Sequence, residues 1–337
     1  MRVAGSLRCV FAKNESHMVD RVIRLADRAL GSGPVTALPR RASRRQLRVL
    51  AYHGVERDSF FPRHMRHIRE RYHPVGAAAV IDALHGGDPL PDAAVWVTFD
   101  DGEPSVIENA LPVTTEYQIP ATVFICPGVV DSHQPLWWDT VAAALDLGET
   151  VRLGERQYRA TELGSLKRRL KTLDDTRRRE IVAGLAASIV DRNGAPFQRR
   201  QVTSTELRLL IDSGWQIGNH TWDHPCLDRC EPSVQLDQVE SAHEWMRANI
   251  GVPPVLFAYP NGNHSERAEA ALVDLGYQIG VLFDHHLATV TSDPLRISRL
   301  RVNDTTTPER FAAIVSGVHP ALHSARSRLS PAEQAEE

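Results

Sequence analysis

A continuous apolar run that ends in two adjacent carboxylates constrains this chain more than any other feature. Residues 93–97, Ala-Ala-Val-Trp-Val, lead into Thr98-Phe99-Asp100-Asp101-Gly102. An apolar run of this kind indicates a strand buried on both faces, as in a parallel sheet covered by helices. Loops at the carboxyl ends of such strands carry most α/β active sites. The acidic pair therefore predicts an α/β fold with chemistry at one strand end, although a turn or a helix cap would also accommodate two acidic residues.

A second strand end downstream carries residues that bind metals. The short apolar run 215–218 is followed by Asn219-His220-Thr221-Trp222-Asp223-His224-Pro225. Imidazole and carboxylate groups are preferred ligands of zinc and related divalent ions, and a catalytic site keeps one position for water. Asp101, His220 and His224 would form such a set. Because Pro225 disfavours the α region at His224, we expect the two histidines to come from a strand end and a loop rather than from a helix.

The cysteines allow an alternative metal site. Cys226 and Cys230 follow His224 closely, so a structural zinc shared by the two histidines and both cysteines is conceivable. That arrangement leaves the acidic strand end without a partner and lacks a CxxC pair. Four cysteines in a chain of this size do not indicate a disulfide framework, and Cys126 is expected to be a small core residue.

Three segments, in order, resemble the motifs of the polysaccharide deacetylase family (NodB-homology, carbohydrate esterase family 4). They are Thr98 to Gly102, His220 to His224, and Phe257-Ala258-Tyr259-Pro260-Asn261-Gly262. The resemblance covers residues 48–311 and begins with Leu50-Ala51-Tyr52-His53-Gly54-Val55. Members of this family are metal-dependent N- or O-deacetylases built on a distorted (β/α) barrel. The resemblance implies the same fold and the same class of activity here.

The resemblance also implies roles for individual residues. Asp100 would be the general base, and Asp101, His220 and His224 would bind a divalent ion, with zinc preferred and cobalt or nickel as alternatives. Such an ion acidifies its bound water and polarises the amide carbonyl, while a carboxylate that is not a ligand removes the proton. Tyr259 would present its backbone N–H to the oxyanion of the tetrahedral intermediate. The alternative for Tyr259 is an ordinary aromatic residue in a turn.

Two positions depart from the family pattern. Many members carry an arginine in place of Ala258, and that arginine orients the catalytic aspartate. Arg299 lies in a strand-like run, 295–302, and is a candidate to reach Asp100 from a neighbouring strand end. An ordinary arginine at the barrel rim is the alternative. The late Leu-x-His motif is also not evident, since Leu300-Arg301-Val302 occupies the region expected for it.

The acid that protonates the leaving amine is therefore open. His53, His285 and His286 are the candidates, because the pKa of histidine suits proton donation near neutrality. His53 is preferred because it closes the apolar strand 48–52 and would face the barrel mouth. A structural histidine at a strand end is the alternative.

Three further residues are candidates for contact with a sugar substrate. Trp138 and Trp222 lie near the predicted strand ends, and a tryptophan ring stacks on the apolar face of a pyranose. A hydrophobic anchor is the alternative for each of them. Asn261, in the third motif, is the remaining candidate.

The remaining segments are predicted to lie before, within and after this barrel. Residues 1–45 would form an accessory helix (Met18 to Leu30) and a linker that starts at Gly31-Ser32-Gly33-Pro34, residues 46–320 the catalytic barrel, and residues 321–337 a polar tail. An insertion at about 131–205 breaks the short βα rhythm, with a hairpin over 151–158 and two helices over 165–193. An insertion of this size usually builds a lid or an interface.

Composition excludes several classes of function. Hydrophobic residues make up 42% and charged residues 24% of the 337, as in one globular domain. A net charge of −3 gives no argument for binding to nucleic acid or to anionic membranes, and the basic clusters 40–45 and 167–169 are interpreted as solvated faces. No segment is suited to be a signal peptide or a transmembrane helix, so we expect a cytoplasmic protein. Oligomeric state is open.

Together these patterns predict a metal-dependent hydrolase that removes an N-acetyl or other acyl group from an amino sugar or glycoconjugate. Within the same chemistry, the substrate would alternatively be a small-molecule or lipid-linked acetamido glycoside. From a different class, a degenerate barrel that only binds sugar is the competing interpretation. The intact acidic pair and the two histidines argue against it.

Overall fold

The computed structural model describes residues 27, 29–190, 194–251, 253–289 and 293–329. The helix predicted over Met18 to Leu30 therefore lies largely outside the described residues. Residues 27, 29 and 30 are described and are helical.

Parallel strands form the centre of the molecule. The strands are β1 (Arg48–Tyr52), β2 (His73–Pro74), β3 (Ala94–Phe99), β4 (Ala121–Ile125), β5 (Val151–Leu153), β6 (Arg156–Tyr158), β7 (Gln216–Asn219), β8 (Leu256–Ala258), β9 (Ile279–Val281) and β10 (Leu300–Arg301). Eight of them form one sheet in the order β10-β1-β3-β4-β7-β8-β9, with β2 beside β3. A single parallel bridge from Val281 in β9 to Ile297, just before β10, brings the two ends of this curled sheet together. The predicted α/β class and distorted (β/α) barrel are confirmed.

Helices follow most strands and cover the sheet. They are α1 (Gly33–Ala42), α2 (Phe61–Arg71), α3 (Ala77–Leu84), α4 (Leu111–Glu116), α5 (Trp137–Asp146), α6 (Leu163–Lys171), α7 (Asp175–Ser188), α8 (Ser204–Asp212), α9 (Pro232–Ile250), α10 (Glu266–Asp274), α11 (Pro308–Ser316) and α12 (Val318–Leu329). Among the described helices, none is both long and apolar enough to cross a membrane.

Strand β3 shows why the central strands are mostly apolar. All six of its residues are buried. Val95, Val97 and Phe99 pack in one hydrophobic cluster, whereas Ala94 and Trp96 pack in another. Successive side chains of a strand point to opposite faces, so a strand buried on both faces is mostly apolar, and the one polar residue of β3, Thr98, donates its hydroxyl to the Leu50 carbonyl at 2.8 Å. Each large apolar side chain buried in this way contributes about 1.5–3 kcal/mol.

The insertion has a hydrophobic core of its own. Strands β5 and β6 pair in antiparallel register, and helices α6 and α7 follow them, so the predicted hairpin and helix pair are confirmed. Asp174 caps α7 by accepting a 2.9 Å hydrogen bond from the Arg177 amide. The side chains of this separate core include Trp137, Val141, Leu166, Leu170 and Leu185.

Helices occupy part of each segment that the sequence predicts at the ends of the chain. The segment after Gly31 is not simply a linker, because helix α1 occupies Gly33–Ala42. Pro34 lies in the first turn of α1, where its fixed φ suits a helix and its missing N–H is not needed, so the Gly-Pro pair starts a helix there. At the other end, residues 321–329 of the predicted polar tail belong to helix α12.

Candidate active site

The carboxyl ends of β3 and β7 bring three potential metal ligands together. Asp101 follows β3, and His220 and His224 follow β7. His220 Nε2 lies 3.4 Å and His224 Nε2 lies 3.5 Å from Asp101 Oδ1, and all three residues are buried. Their ligand atoms lie within 4.8 Å of one another, and no other such group of His, Cys, Asp or Glu occurs in the described part of the chain. These residues form a possible metal site.

The hydrogen bonds around this triad suit a divalent ion. His220 Nδ1 lies 2.8 Å from the carbonyl oxygen of Ala258. Donation of the Nδ1 proton to that carbonyl leaves the Nε2 lone pair directed at Asp101. Asp101 Oδ1 is buried and has no hydrogen-bond donor among the described residues. A buried acceptor without a partner costs free energy, and a cation at this position removes that cost.

The pKa shifts of the three residues also favour a bound cation. Burial would raise the pKa of Asp101, but the neighbouring His220 and His224 lower it on balance. Burial lowers the pKa of His224 to about 3, so its imidazole is neutral near pH 7. Burial would lower the pKa of His220, but the carboxylates of Asp100 and Asp101 raise it. The carboxylates that attract a proton to His220 would equally attract a metal ion.

The loops that carry these residues adopt unusual backbone conformations. Positive φ angles occur at Asp101 (68°), Thr221 (69°), His224 (60°) and Asn261 (57°). Residues with a Cβ rarely adopt this left-handed region, and such conformations cluster at functional sites. The His220–His224 loop is held by a 2.7 Å bond from the Thr221 amide to the Asn219 side chain. The histidines therefore lie on a strand end and a loop, as predicted.

Arg299 holds Asp100 in a bidentate ion pair. Arg299 Nη1 lies 2.7 Å from Asp100 Oδ1, and Nη2 lies 2.7 Å from Oδ2. The guanidinium also donates to the Leu282 carbonyl at 2.6 Å and to Thr98 Oγ1 at 3.1 Å, and it is fully buried. Burial would raise the pKa of Asp100, but Arg299 and His220 lower it on balance, so the carboxylate is ionised. The contact predicted between Arg299 and Asp100 is present.

A cavity of about 1050 Å³ opens over these residues. Asp100, Asp101 and both histidines of the triad line it. The aromatic, amide and further histidine residues of the lining include His53, Trp137, Trp138, Asn261, Asn263, Phe283, His286 and His323. The Trp138 ring stands edge-on to the His224 ring, with 4.6 Å between centroids.

The three histidines considered as the general acid occupy different positions in the structure. His53 follows β1, lines the cavity, and packs edge-on against Phe283 at 5.7 Å. His286 is exposed at the rim, 3.5 Å from Asp284. His285 is buried and not among the lining residues, with its Nε2 2.9 Å from His319 Nδ1. His53 is therefore the candidate placed closest to the predicted role.

The structure corrects the assignment of the Tyr259 amide. The Tyr259 N–H donates to the Val281 carbonyl at 3.1 Å, because β8 and β9 pair with Ala258 opposite Val281. This N–H is therefore engaged in the sheet rather than directed at a substrate. Pro260 has no N–H, so the next amide is that of Asn261, which lines the cavity. Its N–H has no backbone acceptor within the described ranges.

Trp222 and the cysteines lie outside the cavity lining. Trp222 packs on Gly128 so closely that a Cβ added there would lie 2.7 Å from the Trp222 Nε1, and it is not among the cavity residues. The anchor interpretation therefore describes Trp222. Cys226 and Cys230 are buried, and burial raises the pKa of the Cys230 thiol to about 12. Buried protonated thiols are poor metal ligands, which argues against the alternative zinc site, and Cys126 is buried as predicted.

Basic residues of the lining were not anticipated from the sequence. They are Lys167, Arg168, Lys171, Arg229 and Arg301. The cluster 167–169 was interpreted as a solvated face, but only Arg169 of the three lies outside the lining. The i, i+4 spacing of Lys167 and Lys171 places both on one face of α6, and this spacing was the signal available in the sequence.

An ion pair fastens the insertion to the loop between the two histidines. Arg179 of α7 donates to both oxygens of Asp223, at 2.7 and 2.9 Å. Arg199, near the end of the insertion, donates to Glu103 at 2.8 Å. The loop between His220 and His224 is thus stabilised by a contact from the insertion.

Comparisons with known proteins agree with this geometry. A family model for polysaccharide deacetylase matches residues 87–280. Poly-beta-1,6-N-acetyl-D-glucosamine N-deacetylase from Escherichia coli (strain K12) is 25% identical over 221 residues, 65% of this chain and 29% of that protein. The protein of the same name from Staphylococcus aureus (strain MSSA476) is 48% identical over 41 residues, 12% of this chain and 14% of that one. The chain thus spans less than a third of the length of these relatives.

Solved structures show the same fold. The Streptococcus pyogenes deacetylase PplD in complex with acetate superimposes with a TM-score of 0.56 at 16% identity, covering 80% of this chain and 98% of that one. IcaB from Ammonifex degensii gives 0.54 at 18% identity, covering 81% and 97%. The matched family model includes the strand ends that carry the acidic pair and both histidines. Because it covers more than half of the residues, this chain belongs to the polysaccharide deacetylase family.

Proposed function

We propose that this protein is a metal-dependent hydrolase that removes the N-acetyl group from an acetamido sugar. One observation carries the proposal: a buried Asp-His-His triad shares a cavity with an ionised aspartate that is not part of the triad. Metal-assisted hydrolysis of an amide needs residues that hold the metal ion and a separate base that takes the proton from water.

Asp101, His220 and His224 would hold the metal ion. Two imidazoles and one carboxylate are a ligand set that zinc accepts, and cobalt and nickel also suit it. When bound, the ion supplies Lewis acidity that activates water and polarises the amide carbonyl.

Asp100 would take the proton from the attacking water. Each of its oxygens accepts one hydrogen bond from Arg299 and keeps a further lone pair for the proton. Arg299 keeps the carboxylate ionised and fixes its direction, so Arg299 is a positioning residue. A fixed base near the reacting atoms contributes roughly 10²–10⁴-fold in rate.

The remaining steps need a donor to the oxyanion and a proton for the leaving amine. Asn261 lines the cavity, and its backbone N–H, which has no backbone acceptor among the described residues, would stabilise the negative oxygen that forms when water adds to the carbonyl. His53 would protonate the amine as the C–N bond breaks. Acetate and a free amino sugar leave the site, and the proton on Asp100 returns to solvent.

The cavity is large enough for more than one sugar ring. Its volume of about 1050 Å³ is at the upper end of small-molecule sites, which span roughly 300–1,000 Å³. Trp138, partly exposed in the lining, would stack on a sugar ring. The relatives named as poly-beta-1,6-N-acetyl-D-glucosamine N-deacetylases support an N-acetylated sugar as the substrate class.

Acetate release tests the proposal. The purified protein, loaded in turn with zinc, cobalt and nickel, is incubated with N-acetylglucosamine oligomers, and acetate is measured with and without chelator. We expect metal-dependent release that chelation abolishes and Asp100→Asn reduces by two or more orders of magnitude. A protein that holds a stoichiometric ion yet releases no acetate from acetamido sugars would contradict the proposal and favour a barrel that only binds sugar.

A further inference from the structure

One helix of the insertion lines the cavity with positive charge. On α6, Lys167, Arg168 and Lys171 all belong to the cavity wall, and the two lysines are half-buried. Lys167 and Lys171 lie one helical turn apart, so their ammonium groups stand on the same face. We call these three residues the α6 cations.

No carboxylate forms an ion pair with the α6 cations in the described structure, although Asp139 attracts Lys167 and Asp101 attracts Lys171 from beyond ion-pair distance. Within the described residues, neither lysine has a hydrogen bond or an ion pair, and Arg168 bonds only to the neutral hydroxyl of Ser165. By contrast, Arg229 pairs with Asp228 at 3.3 Å. The nearby Arg169 serves as a reference, since it lies on the same helix but outside the cavity lining.

The acidic residues of the cavity are engaged elsewhere. Asp100 is held by Arg299, and Asp101 belongs to the metal triad. Asp284 accepts from Ser298 at 2.7 Å and from the Arg299 amide at 3.1 Å. These carboxylates therefore have other partners, and none of them forms an ion pair with an α6 cation.

This arrangement costs stability. Like charges four residues apart destabilise a helix. Burial lowers the pKa of both lysines, so the charged forms are held at a cost. A bound metal ion would add further positive charge. A basic cluster that faces a cavity without an ion pair to any described residue favours a ligand of opposite charge.

The charge of the product limits which sugars the α6 cations would favour. Deacetylation creates an ammonium group, and a glycan with many such groups would be repelled by the α6 cations. A neutral glycan would gain nothing from them. A sugar that carries a multiply charged anion gains most, and three cations match a phosphate or diphosphate better than a single carboxylate.

We propose that Lys167, Arg168 and Lys171 bind a phosphate or diphosphate group attached to the acetamido sugar held in the cavity. This proposal rests on the proposed function for the identity of the sugar. The anionic group would come from a soluble nucleotide carrier or from a lipid carrier, and both share the same phosphate chemistry.

Equilibrium binding tests this assignment independently of catalysis. The zinc-loaded protein is titrated calorimetrically with N-acetylglucosamine 1-phosphate and with N-acetylglucosamine. We expect the phosphorylated sugar to bind at least tenfold more tightly, with a preference that weakens as salt increases. Lys167→Gln and Lys171→Gln should each reduce the preference roughly tenfold, which corresponds to about 1.4 kcal/mol. Arg169→Gln is the matched control and should retain it.

The outcomes separate the two proposals. Equal affinity for both sugars, a preference that survives in the Lys167→Gln/Lys171→Gln double variant, or tighter binding of a glucuronate-linked disaccharide would overturn the phosphate assignment. A lysine-dependent preference without acetate release would support the phosphate assignment and refute the proposed function. Comparison of a nucleotide-diphosphate sugar with a farnesyl-diphosphate sugar then identifies the carrier, and lysine-dependent binding of either one supports the assignment.

Discussion

Replacement of Arg299 tests the proposed site most directly. Many family members orient the catalytic aspartate with an arginine at the position of Ala258, and we assign that role to Arg299 in this chain. In Arg299→Ala, Asp100 loses both hydrogen bonds of 2.7 Å and becomes a buried carboxylate without a counter-ion. Removal of one partner from a buried ion pair costs about 3–5 kcal/mol, a large share of the roughly 5–15 kcal/mol that stabilises a typical domain.

Catalysis should change through Asp100 rather than through the metal. Loss of a residue that orients a catalytic group typically costs about 10–100-fold in activity. Burial raises the pKa of Asp100, and Arg299 is the main influence that lowers it. Without Arg299 the pKa of Asp100 rises. The carboxylate is then protonated at higher pH, and the acidic limb of the kcat/KM profile moves upward.

The assay compares three variants at equal metal loading. Arg299→Ala should keep stoichiometric metal while kcat falls, and Arg299→Lys should recover only part of the rate because an ammonium cannot bridge both oxygens. Arg296→Ala is the matched control, since Arg296 lies in the same segment but pairs with Glu269 at the surface. Unchanged kcat and an unmoved acidic limb in folded Arg299→Ala would refute the reasoning. The lysine variant keeps the test informative if the alanine variant does not fold.

Further predictions concern the other residues of the site and the barrel. Asp101→Ala, His220→Ala and His224→Ala should each lower metal occupancy and activity together, measured by elemental analysis, and full occupancy in two of them would place the metal elsewhere. Asp100→Asn should keep the metal and lose about 10²–10⁴-fold in kcat, whereas loss of metal would make this residue a ligand. Burial lowers the pKa of His64 to about 4 from 6.5, so the unfolded state binds more protons between these values. The free energy of unfolding should fall by up to about 3 kcal/mol as pH drops from 6.5 to 4, and denaturant titrations of His64→Gln should show a weaker decline.

The sequence predicts the residues at strand ends best. The acidic pair and His220 were identifiable because their positions depend on strand ends, and apolar runs define those ends. Arg299 could be predicted for the same reason, since the run that contains it leads into the strand next to β1. The position of His224 on a loop was predictable because Pro225 disfavours the α region at the residue before it.

Features that depend on pairing between distant segments were not predictable. The Tyr259 N–H is engaged because of the register between β8 and β9, and a single sequence does not contain that register. Trp222 packs on Gly128, a contact across 94 positions of the chain. The lysines of α6 were recognisable as one helix face, but not as a face turned to the cavity, because that orientation depends on how the insertion packs.

The separate core of the insertion has a consequence for the evolution and engineering of this protein. The residues proposed for bond cleavage all lie on the barrel, whereas the helix with the α6 cations is stabilised by its own apolar cluster. Ion pairs such as Arg179–Asp223 and the packing of Trp138 near Cys126 join the insertion to the barrel. Selection can therefore rebuild the insertion without disturbing the strained strand ends. If the proposals hold, exchange of segment 131–205 between relatives should transfer preference for the charge of the substrate while the proposed catalytic residues stay in place.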